Sequence, residues 1–136
     1  MRHTTRNVIA TLALALPTLA GCKDPAPSAP STASGAVTIT AEARTEATQI
    51  FATRCTPCHG PTGGGDGPAS AGLTPRPRNF HDAAWQGTVN DQHIERIIQY
   101  GGAAVGKSPT MPANPDLMER PVVVAALREH VRSLRQ

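Results

Sequence analysis

Cys55-Thr56-Pro57-Cys58-His59 places two thiols and an imidazole in one short run. Cysteines three residues apart lie about one helical turn apart, so both sulfurs can reach the vinyl-derived carbons on one edge of a porphyrin as thioethers. The next residue, His59, then projects over the ring and can bring a nitrogen to the iron. This is the C-x-x-C-H signature of c-type haem attachment. A bare C-x-x-C also occurs in thioredoxin-like redox pairs and in halves of zinc sites. A redox pair wants a surrounding βαβ pattern, and no strand-like run is present. A zinc site wants a second Cys or His pair, whereas His3, His81, His93 and His130 are scattered singly.

From roughly Thr40 to Gln136, and above all at these five residues, the chain resembles the class I, mono-haem cytochrome c family in its bacterial lipoprotein form. The resemblance implies an all-α fold: a small cytochrome c domain of about three main helices and long loops wrapped around one covalently bound haem c.

The N-terminus reads as an address. Arg2, His3 and Arg6 precede an apolar run from Val8 to Leu16, which is too short to span a bilayer and suits a secretory signal. Leu19-Ala20-Gly21-Cys22 follows and looks like a lipobox, with cleavage before Cys22 and a lipid on its thiol. With Cys55 and Cys58 committed to haem, Cys22 is the odd cysteine of an exported chain, and acylation removes that loose thiol. The alternative is an ordinary cleavage site beside a spare cysteine. Residues 1–21 are thus read as a lipoprotein signal peptide, 22–39 as a lipid-anchored tether and 40–136 as the haem domain. Pro25, Pro27 and Pro30 favour an extended tether that lets the anchored domain swing between partners. The expected location is extracytoplasmic, on the periplasmic side, without a transmembrane helix.

Charge excludes one class of partner. Removing Arg2 and Arg6 with the signal leaves 11 basic groups of the original 13 against 10 acidic ones. Haem propionates add negative charge, and nothing supports nucleic-acid binding.

Within the domain, Thr40 can cap a helix carrying Glu42 in its first turn and an apolar stripe of Ala43, Ala47, Ile50 and Phe51. That helix delivers the chain into Cys55. Gly60 to Gly72 is too rich in glycine for regular structure, and no Lys-Ser or Lys-Thr pair follows to make it a phosphate loop. Arg76, Asn79 and Trp85 fall in a second irregular stretch with Pro75, Pro77 and Phe80. Asn90 caps the next helix, which runs through Ile94, Ile97 and Ile98 to Gly101-Gly102. Gly106 to Pro115 is extended. Pro121 opens the final helix, whose buried stripe is Val123, Leu127, His130, Val131 and Leu134.

The resemblance assigns roles along this frame. Met111, in Thr110-Met111-Pro112, matches the place of the second axial ligand opposite His59; Met118 is its rival. A thioether stabilises ferrous haem and raises the potential. A proline carbonyl is expected to accept from the ring N–H of the proximal histidine; Pro68 is the best match and Pro75 the fallback. Arg76 and the indole N–H of Trp85 suit the haem propionates, while Arg78 is as readily a solvated loop residue. Relatives carry an aromatic where this chain has His130, so a looser or more polar crossing of the terminal helices is expected.

With Phe 2, Trp 1 and Tyr 1 the core is thin for its size, and a buried porphyrin supplies apolar mass. Two protein ligands leave the iron no open position, so the expected function is one-electron transfer rather than enzymatic turnover, by a monomeric domain meeting redox proteins transiently. The competing reading is a haem subunit, or a haem that binds a small ligand or peroxide after Met111 dissociates. A third is thiol-disulfide exchange at Cys55 and Cys58.

Overall fold

The computed structural model describes residues 37–136. The expected signal peptide, Cys22 and most of the expected tether lie outside the described residues. Every regular element described is helical, and no strand occurs among those residues.

Helix α1 (Ala41–Ile50) begins where Thr40 Oγ1 accepts the Ala43 N–H at 3.2 Å, satisfying one of the free donors of the first turn. It runs without a break into a π-helical turn, Phe51–Cys55, and then into α2 (Thr56–His59). The helical path thus changes register just before the first cysteine. Gly60, at φ 78, ends α2 in a conformation that costs glycine little.

The loop that follows is irregular, apart from a 3₁₀ turn at Pro68–Ser70. Trp85, expected in irregular chain, instead lies in a short helix, α3 (Ala83–Thr88). Its cause is local: Asp82 is an N-cap whose carboxylate accepts the Trp85 N–H at 2.9 Å. Helix α4 (Asp91–Tyr100) starts at Asn90, which accepts from the His93 N–H at 2.8 Å, and stops at Gly101 with φ 77. The chain then turns through Ala103–Val105 and Pro115–Leu117 and enters α5 (Pro121–Ser133), with proline in the first turn as its fixed φ favours.

Helices α1 and α4 both pack on α5. Ala43 and Ala47 let the α1 backbone lie close to α5, and Ile50, Phe51, Val123, Val124, Leu127 and Val131 fill the contact. His130 takes up the aromatic position at this crossing. Its imidazole meets Phe51 edge-on, with centroids 4.5 Å apart and planes at 62°, so the position keeps an aromatic contact while gaining a polar ring. Arg44–Glu129 and Arg120–Glu46 bracket the crossing; both pairs are exposed and contribute little each.

A more buried network ties α3, α4 and α5 together. Arg128 pairs with Asp91 and Glu95, and Arg132 pairs with Asp91. Arg132 also donates to the Val89 carbonyl at 2.7 Å and to the Gln86 carbonyl at 2.7 Å.

Candidate cofactor site

The Cys-x-x-Cys-His turn is held from behind by the glycine loop. Gly67 N–H donates to Cys58 O at 3.1 Å, and Gly65 N–H to His59 O at 2.8 Å. A Cβ on Gly67 would lie 2.4 Å from the carbonyl oxygens of both Thr56 and Pro57. Only a residue without a side chain allows this approach, which explains a glycine there in steric terms.

His59 is buried, and Cys55 and Cys58 are partly so. The His59 Nδ1 lies 3.1 Å from the Arg78 carbonyl. A carbonyl only accepts, so the Nδ1–H donates and Nε2 keeps its lone pair. Burial pulls the imidazole below its ordinary pKa, and the hydrogen bond to Arg78 opposes this in part. The group therefore stands as a neutral imidazole with one free nitrogen. The Phe80 ring stacks on it at 4.4 Å between centroids and 15° between planes.

This finding corrects the expected second contact of the histidine. Pro68 is not the acceptor; it is exposed, at the start of a 3₁₀ turn. Pro75 is not the acceptor either, although it lines the cleft described below. The carbonyl comes from Arg78, because the segment 77–79 is drawn against the glycine loop at Gly65, where a Cβ would lie 2.5 Å from Pro77 O.

These groups face a cleft of ≈ 270 Å³ whose walls are largely apolar. Cys55, Cys58 and His59 line it from one segment, Ile94, Ile97 and Ile98 from α4, and Leu127 and Val131 from α5. Met111 lines it from the loop after α4. That loop is fixed by the glycine pair that ends α4: Gly102 N–H donates to Met111 O at 3.0 Å, and Lys107 N–H to Gly102 O at 2.8 Å. Met118 is exposed and does not line the cleft.

Arg76 and Trp85 also line the cleft, as does Arg78. Arg78 is more than a solvated loop residue: its guanidinium lies over the Trp85 ring at 5.3 Å. Arg54 and Lys107 join them, whereas no Asp or Glu appears among the described lining residues. The cleft is thus apolar inside and cationic where its charged residues reach it, as suits a flat apolar ligand bearing carboxylates.

The chemistry of the donors narrows the ligand. Burial pushes the Cys55 thiol up to about 11, so near neutral pH it is a poor thiolate and a poor disulfide-exchange nucleophile. Among the described residues no three His, Cys, Asp or Glu side chains cluster as a bare-metal site. Two adjacent thiols, one neutral imidazole nitrogen and a thioether, set in apolar walls, fit a covalently held haem.

Sequence reasoning missed Phe80 as the stacking partner of His59 and Gln86 as a buried amide hydrogen-bonded to the Phe80 carbonyl. The spacing Asp82-x-x-Trp85-Gln86 was the available sign of a short capped helix there.

Comparison with known sequences bears on the same residues. A sequence model described as Cytochrome c matches residues 45–132, well over half of the chain. No curated protein matches it. The matched span contains every segment that lines the cleft, from Ile50 to Val131. The fold is all-helical over the same residues, and on these grounds the chain belongs to the cytochrome c family.

Proposed function

We propose that the protein is a lipid-anchored one-electron carrier with a single haem c ligated by His59 and Met111. Membership of the family supports haem-based electron transfer and implies a haem c joined to Cys55 and Cys58. Bound haem supplies an iron that cycles between ferrous and ferric states. The observation that carries the finer reading is that His59 and Met111 line the same apolar cleft as the two cysteines.

The residues divide the work as follows. His59 offers Nε2, its orientation fixed at Nδ1 by Arg78 O and at the ring face by Phe80. Met111 offers a neutral thioether, which favours the ferrous state. Ile94, Ile98, Leu117 and Leu127 exclude water, which keeps reorganisation on electron transfer small. Arg76, Arg78 and Lys107, with the Trp85 indole, are donors suited to propionates.

Residues 1–21 act as a lipoprotein signal and 22–39 as a tether acylated at Cys22, leaving 40–136 as a monomeric haem domain on the periplasmic side of a membrane. Among the described residues no helix is long and apolar enough to cross one. Partners are redox proteins met through small transient contacts near the edge that carries Cys55 and Cys58. A visible spectrum of purified protein tests the ligation: a low-spin, six-coordinate haem with a weak red-edge band of sulfur–iron bonding is expected. Met111→Ala should abolish that band and lower the potential without releasing haem. Ready uptake of carbon monoxide by ferrous wild type at neutral pH would reject the carrier in favour of a ligand-binding haem.

A further inference from the structure

Gln86 is a buried amide to which the carrier reading assigns no part. It is 3% exposed, on α3. Its Nε2 donates to Phe80 O at 3.0 Å and to Val131 O at 2.8 Å. Its Oε1 accepts from Arg132 Nη1 at 2.9 Å, and Arg132 is held in turn by Asp91. Both amide N–H groups and the amide oxygen are therefore engaged, and a fully satisfied buried amide rigidifies what it joins.

What it joins is the segment that governs the proximal histidine. Residues 78–80 supply both contacts of the His59 ring: Arg78 O accepts from Nδ1–H, and the Phe80 ring stacks on its face. This segment is tied at Phe80 N–H to Gly63 O at 2.8 Å, and at Phe80 O to Gln86. Gln86 thereby fastens it to α5 with one side chain.

We propose that Gln86 is a positioning residue for His59, acting through Phe80 and Arg78 to set the strength of the Nδ1–H hydrogen bond and so the reduction potential; this rests on His59 being a haem ligand. Donation from Nδ1–H to a carbonyl makes the ligating nitrogen more basic, which favours ferric iron. Loosening the 78–80 segment lengthens that bond, weakens the nitrogen as a donor and raises the potential. An amide that served only as scaffold would affect stability and leave the potential alone.

The test uses the full-length holoprotein. Gln86→Met keeps length and volume but removes the donors. Its potential should rise, and the His59 Nδ1–H should exchange about tenfold faster by NMR, the factor that matches loss of one net hydrogen bond. Asp91→Asn weakens the far end of the network without touching Phe80 O. It should lower the unfolding free energy and move neither readout. Wild-type potential and exchange in Gln86→Met would overturn the proposal, as would an equal potential shift in Asp91→Asn. If Gln86→Met fails to fold, Gln86→Asn, too short to span Phe80 O and Val131 O, gives the same readouts. Wild-type protein that carries covalent haem but shows no iron-shifted His59 ring protons would instead reject the ligation on which the proposal rests.

Discussion

Replacing Gly102 by alanine tests whether close backbone approach places the Met111 loop. Gly102 has φ −63, a conformation any residue adopts, so alanine brings no backbone strain. The cost is purely steric. The new Cβ would lie 2.0 Å from Ser108 O, and 3.4 Å from Met111 Cβ, while real Cβ contacts essentially never fall under 3.0 Å. The new Cβ has no rotamer and Ser108 O is main chain, so no side-chain rotation relieves the clash, and Ser108 must retreat by about 1 Å. That movement strains Gly102 N–H→Met111 O and Lys107 N–H→Gly102 O. Overpacking costs about 1–3 kcal/mol and each of the two weakened hydrogen bonds about 1 kcal/mol, giving about 3–5 kcal/mol. This is a large part of the roughly 5–15 kcal/mol of a domain this size. Urea unfolding of the holoprotein followed by circular dichroism reads the energy, and the red-edge band reads the proposed Met111–iron bond. Gly106→Ala is the control. It has φ 69 and open space around the new Cβ, so it should cost about 1–2 kcal/mol of strain and leave the band intact. A Gly102→Ala protein within about 0.5 kcal/mol of wild type, with its band unchanged, would refute the steric argument.

Other substitutions probe the frame. Leu127→Ala should cost about 2–5 kcal/mol in the same unfolding assay, because the side chain is 2% exposed in the core and lines the cleft. Gly87→Ala should stabilise by about 0.5–1 kcal/mol, since its Cβ meets nothing and glycine is a poor helix residue. His130 is held below its ordinary 6.5 by burial against Phe51, so the unfolded chain takes up a proton that the folded one refuses. Stability should therefore fall as pH drops through the unfolded value near 6.5 and level off below the folded one. His130→Phe should remove that component, as unfolding series at several pH values between 5 and 8 would reveal. Protein made without haem, as in a Cys55→Ser/Cys58→Ser pair, should give the circular dichroism of a largely unfolded chain.

Much of this was legible in the chain because it is local. Cys55, Cys58 and His59 need only one helical turn to act together, so their order in sequence is their order in space. The caps at Thr40 and Asn90 and the stop at Gly101 lie within a few residues of the groups they satisfy, and periodicity alone marked Val123, Leu127 and Val131 as buried on α5, whereas His130 and Leu134 of the expected stripe are half-buried. Asp82 as a cap was equally local, yet the prolines at 75 and 77 hid it and left Trp85 in an apparent loop.

The rest depended on which distant segments meet. Local sequence determined the attachment turn and the main helices, since backbone hydrogen bonding and helical period act over a few residues, whereas the Met111 loop, expected to be extended, is turned over residues 106–111. Tertiary structure alone decided that Arg78, rather than Pro68, faces His59 Nδ1. That choice follows from the glycine loop drawing 77–79 against the haem-attachment turn, an approach of main chain to main chain with no periodic sign. Packing also put Phe80 on the imidazole and the Gln86 amide between Phe80 and Val131. The contacts of His59 with Arg78 and Phe80, and of Gln86 with Val131, join residues far apart in the chain, and such pairings are fixed by the summed packing of α1, α4 and α5 rather than by any neighbour in sequence.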